Sequence, residues 1–142
     1  MAFENQVFEW TFLAGADLTA AQFHAVAVNA GGRVVLAGAG GPAVGILQNA
    51  PRGGEAARVC VLGITKAVAG GAVSAGSRVA ANANGQVVPA TTAYTNTSDT
   101  GAAQDPLVGS NVIGIALTSA TAAGQVISIV LTHMGAVPRS EL

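Results

Sequence analysis

Residues 37–63, AGAGGPAVGILQNAPRGGEAARVCVLG, decide how this chain folds. A glycine cluster opens the stretch, a short apolar segment AVGIL (43–47) follows, and after a break at PRGGE the chain enters AARVCVL (56–62), an alternating apolar run. Gly38-Ala39-Gly40-Gly41 lacks the third spaced glycine of a dinucleotide fingerprint. Pro42 and a β-branched run come next, not a helix whose N-terminus could hold pyrophosphate, and no lysine stands in the phosphate-loop position. The cluster therefore reads as a turn between strands, because the segments around it have a period of two.

The same pattern extends outward in both directions. FHAVAVN (23–29), RVVLA (33–37), VIGIAL (112–117) and VISIVL (126–131) are short, apolar and rich in β-branched residues, with glycine between them. RVAANANGQVV (78–88) carries Asn84-Gly85, the strongest short hairpin signal. These spacings predict an all-β (mainly β) fold, a small β-barrel or β-sandwich with an extended N-terminal arm. At most one or two short helical turns are expected, one of them in GADLTAAQ (15–22), where Thr19-x-x-Gln22 is a capping pattern. Residues 1–16 read as an N-terminal arm or edge strand and 17–142 as a single β-domain. Within that domain, 89–109 has little apolar periodicity and reads as a long exposed loop. Val44–Leu47 followed by Gly54–Val61 is echoed by Ile113–Leu117 followed by Gly124–Leu131, an echo attributed here to shared strand grammar.

The first strand, VFEWTFL (7–13), alternates strictly, with Phe8, Trp10 and Phe12 on one face and Glu9 and Thr11 on the other. It holds most of the protein's aromatic surface. Together with Phe3 these aromatics are the candidate contact residues, on a neighbouring subunit or another partner, where exposed aromatics are favoured. Deleting residues 1–13 is expected to leave the β-domain folded and to weaken that contact.

Composition narrows the function. Of 142 residues 51% are hydrophobic, chiefly Ala and Val, while 9% are charged and 4% aromatic, so the core is built from small side chains. A formal net charge of −1, with Lys66 and arginines 33, 52, 58, 78 and 139 scattered along the chain, argues against a nucleic-acid partner. Cys60 is a lone cysteine in an apolar run and reads as a small buried hydrophobe. The mean hydropathy is +0.52, but the charge-free span Pro106–Pro138 is split by the small, polar Thr118–Gln125, so no membrane insertion is expected. Glu4 and Glu9 stand where a signal peptide would need basic residues.

SDTGA (98–102) looks like the signature of retroviral-type aspartic proteases, with Asp99 as the carboxylate and Val112-Ile113-Gly114 as the later hydrophobic element. The residues before Asp99 are polar and loop-like where those enzymes have an apolar strand, and the second element follows too soon. An exposed turn explains Asp99 and Gly101. His24 and His133 lie far apart without ligand spacing, so neither a metal nor a cofactor is expected, and no catalytic grouping emerges.

Residues 17–88, read in order, resemble the capsid cement (head decoration) proteins of tailed bacteriophages, the DUF2190-like group. The resemblance is carried by Asp17-Leu18-Thr19-Ala20-Ala21-Gln22, Gly45-Ile46-Leu47-Gln48-Asn49, Gly54-Glu55-Ala56-Ala57 and Gly63-Ile64-Thr65-Lys66. Ala69-Gly70-Gly71-Ala72-Val73, Ala75-Gly76-Ser77-Arg78-Val79, Asn84-Gly85, Gly114-Ile115-Ala116 and Ala123–Ile127 continue it. It implies a non-enzymatic β-rich virion subunit, grouped as a homotrimer on the outer surface of an expanded icosahedral capsid. Its implied partner is the major capsid protein, which it bridges and stabilises. The alternatives are another phage structural subunit, such as a tail-tube protein, and the Asp99 protease.

Overall fold

The computed structural model describes residues 2–90 and 110–136. Among the described residues nine strands form one curled antiparallel sheet: β1 (Asn5–Leu13), β2 (Ala25–Val28), β3 (Val34–Leu36), β4 (Gly45–Leu47), β5 (Ala56–Val68), β6 (Arg78–Ala81), β7 (Val87–Pro89), β8 (Asn111–Ala116) and β9 (Val126–Ala136). The spatial order is β3-β2-β4-β5-β9-β8-β6-β7, with β1 paired to β5 beside this path. The protein is mainly β, as the sequence pattern requires.

β5 and β9 run past Leu62 and Leu131, where the alternating pattern stops. The cause is local. Gly63 and His133 both take positive φ, +109° and +48°, which interrupts the alternation without ending the strand. The segment 15–22 forms successive turns and not a helical turn: the Ala21 N–H donates to Leu18 O and the His24 N–H to Ala21 O. Leu18 is held by its own N–H on Pro51 O, and Leu18 and Ala21 are both buried, so packing overrides the capping pattern.

The two similar hairpins seen in the sequence belong to a much larger equivalence. β2 pairs with β3 and β4 in the same registers in which β6 pairs with β7 and β8. Val26 faces Leu36 and Gly45, just as Val79 faces Pro89 and Gly114. Leu13↔Ala56 between β1 and β5 recurs as Val68↔Val126 between β5 and β9. The irregular bonds match as well: Phe23 N–H to Leu47 O answers to Gly76 N–H to Ala116 O, and Leu18 N–H to Pro51 O answers to Val73 N–H to Ala120 O. Phe23, forced to φ 65°, stands where Gly76 has φ 88°.

Shared strand grammar sets alternation, but it does not dictate registers, cap bonds and left-handed positions together. The described residues form two structurally equivalent units, with β5 closing the first and opening the second.

Each unit has its own core. The smaller contains Leu18, Val26, Val34, Leu47 and Val59; the larger contains their counterparts Val73, Val79, Val87, Ala116 and Ile129. The larger core also takes Ala25, Ala37, Ile46 and Cys60 from the opposite face of the first unit's strands. The first unit thus covers the second. The join is tight at the β6–β7 turn, where the Ala25 N–H donates to Gly85 O at 2.6 Å and His24 Nδ1 lies 2.8 Å from Asn84 O.

Candidate functional site

β1 is paired to β5 along its length, from Asn5↔Ile64 to Leu13↔Ala56, yet most of its side chains face solvent. Val7 is 78% exposed, Trp10 57% and Phe8 45%, and Leu62, facing Phe8 across the pair, is exposed as well. Phe8 and Trp10 lie two residues apart on one face, their rings nearly parallel at 4° with centroids 6.2 Å apart. The pair is therefore a pre-formed, rigid aromatic surface, the kind that loses little entropy on meeting a partner.

The four candidate aromatics do not form one patch. Phe12 is half-buried against the smaller core beside Val44 and Val61. Phe3, exposed, is anchored elsewhere: the buried Ser128 hydroxyl donates to Phe3 O at 2.6 Å and accepts from the Phe3 N–H. The N-terminal segment is therefore fastened across β9. Leu62 and Val7 were missed by the sequence reading, because Leu62 joins this surface only through strand pairing. Met134, also exposed, follows His133, whose Nε2 lies 2.6 Å from Val61 O.

Polar contacts hold β1 from the other side. Gln6 Nε2 donates to Gln48 Oε1 at 2.7 Å, and buried Gln48 donates to Thr65 Oγ1 at 2.8 Å. Arg58 and Glu9 pair at 3.5 Å on the surface, which adds little to stability. Deleting residues 1–13 would remove this ladder and uncover the smaller core, so the structure does not favour the expectation that such a truncation leaves the domain intact. Point substitutions are the cleaner probe.

Other candidate chemistry does not assemble. Burial pushes the Cys60 thiol up to about 11, with the charges of Glu9 and Glu4 adding to the rise, so it stays a protonated core residue. The side chain of Thr19, with its N–H, holds exposed Asp17 below the ordinary carboxylate range, in keeping with a turn-former. Lys66 lies 5.9 Å from the centre of the Phe23 ring. No group of three or more His, Cys, Asp or Glu gathers among the described residues. A shallow cleft of about 160 Å³ lies between Pro42, Ala43, Asn111 and His133 without a cluster of titratable groups. Asp99 and nearly all of the 89–109 loop lie outside the described residues.

With this geometry in place, solved structures supply a match. The crystal structure of the head fiber gp8.5 N base of bacteriophage phi29 superimposes with a TM-score of 0.60 at 18% identity, covering 90% of this chain and 96% of that one. This fold resembles that of a phage head-fibre base. No protein-family model and no curated protein matches the chain, so the likeness to the DUF2190-like group rests on the motifs quoted above.

Proposed function

We propose that this protein is a non-enzymatic structural component of a phage head, seated on the outer surface of the expanded capsid. There it bridges major capsid protein subunits, as a homotrimer. The observation that carries this reading is the fold shared, over nearly the whole chain, with a phage head-fibre base. The cement-like motif order and the outward-facing aromatics of β1 support it.

The physics of such a role is simple. A bridge bound to the assembled shell, and not to dissociated subunits, stabilises the shell by mass action. Repetition at symmetric sites adds avidity. Phe3, Phe8 and Trp10 are the proposed contact residues, because exposed aromatics in a rigid setting become hot spots once covered.

The test is co-sedimentation of the purified protein with cognate shells lacking it, in unexpanded and expanded forms. Saturable binding at fixed stoichiometry, restricted to expanded shells, is the expected result. Binding to neither form would sink the proposal. A Phe3→Ala/Phe8→Ala variant should bind the expanded shells at least about tenfold more weakly, the loss expected if even one of these two side chains is a hot spot.

A further inference from the structure

Because the chain repeats one unit, the junction inside it defines two surfaces that are each used once and left open once. The second unit's core is closed by the first unit: Ala67, Ala81, Ile113 and Leu131 are at most 5% exposed. Their counterparts over the smaller core are Phe12, Val28, Val44 and Val61, of which Val28 is 46% exposed and the others are half-buried. The covering face shows the mirror of this difference. Ala25, Ala37, Ile46 and Cys60 are no more than 1% exposed where they cover the second unit, whereas their counterparts Arg78, Ala90, Ile115 and Val130 are exposed or half-buried.

The turns agree. Gly85, in the β6–β7 turn, is buried against the first unit, and a Cβ there would lie 2.8 Å from Ala25 O. Gly32 has the same place in the β2–β3 turn and nearly the same φ, 76° against 74°, but nothing lies within 4 Å of it.

We propose that a second copy of this chain fills both vacancies. The lid of the smaller core in one copy (Phe12, Val28, Val44, Val61) takes the open face of the second unit of the next copy (Arg78, Ile115, Val130). In that contact the β2–β3 turn meets the start of β6, as the β6–β7 turn meets β2 inside the chain. Trp10, in the place of the buried Thr65, falls at the border of this contact, opposite Leu117 in the place of Gln48. The contact is head-to-tail: the two faces differ, so each copy offers one and receives one. It rests on the homotrimer proposed above and names its contact; because the test below uses no shells, its failure is distinguishable from a failure to bind the capsid.

The experiment is sedimentation velocity on the full chain, without shells, over a concentration series. Wild type should form assemblies larger than a dimer. Val28→Glu spoils only the lid and Ile115→Lys only the opposing face, so each alone should sediment as a monomer while circular dichroism shows an intact β fold. Mixed, the two variants retain one good lid and one good face between them and should form a one-to-one dimer and nothing larger. A wild type that stays monomeric throughout would overturn the proposal. So would either folded variant assembling like wild type, or a mixture that remains monomeric. If Ile115→Lys does not fold, Arg78→Glu takes its place with the same expected outcomes.

Discussion

The two units share a backbone plan and differ in what covers them. Where a second strand approaches closely, they keep the same residue. Gly45 and Gly114 are both glycine because a Cβ at either would overlap a carbonyl oxygen of the next strand, that of Cys60 or of Val130. At two of the central core positions they also agree: Val26 and Val79, Val34 and Val87, all fully buried. Where the first unit meets only solvent and the second meets the first, they diverge, as Val28 does from Ala81 and Phe12 from Ala67. Strand pairing therefore constrains both copies alike, and the neighbour that each copy has or lacks accounts for the rest.

The largest predicted effects probe what the units share. Gly45→Ala and Gly114→Ala should each cost about 3 kcal/mol or more in denaturant unfolding, because backbone, not a flexible side chain, stands in the way. If either were tolerated within about 0.5 kcal/mol, a value typical of neutral surface changes, the equivalence of β4–β5 and β8–β9 would fail.

A smaller effect probes the difference. Val26→Ala and Val79→Ala delete the same atoms from the same place in the two cores, at about 2 kcal/mol each from lost transfer energy plus a cavity. The second should cost more by about 0.5–1 kcal/mol in dilute protein, since a core covered on all sides collapses less readily around a void. Equal losses would mean that the open lid has no energetic consequence.

The smallest effect concerns Cys60 and its counterpart Val130. The raised thiol pKa means that folded protein holds a proton that the unfolded chain releases. Its contribution to stability is complete below the unfolded value near 9.0 and is lost as pH rises through about 11. Cys60→Val should remove that alkaline slope and change stability at neutral pH by less than about 1.5 kcal/mol, as a near-isosteric apolar swap. A persisting slope would place the titration elsewhere.

Much of this architecture was legible in the sequence, because period-two alternation and glycine turns are local. The β6–β7 hairpin was announced by Asn84-Gly85, and AVGIL and AARVCVL fell where β4 and β5 lie. The continuation of β5 through Ile64–Val68 was hidden by Gly63, whose positive φ shifts the alternation. The repeat was visible only at its two glycine-bearing hairpins, because registers and cap bonds leave little trace in Ala- and Val-rich segments. In the candidate site, Phe8 and Trp10 were readable from spacing alone. Leu62 joins them only through cross-strand pairing, and Phe12 leaves them because it packs against the smaller core with Val44 and Val61.

Amide hydrogen exchange on matched positions tests most directly whether one core is open and the other closed. The Leu47 N–H, bonded to His24 O, and the Ala116 N–H, bonded to Ser77 O, are the same bond in the two units. In dilute protein Leu47 should exchange faster than Ala116, and the gap should narrow as concentration rises and a second copy covers the lid. Equal protection at every concentration, or a gap that never closes, would contradict it.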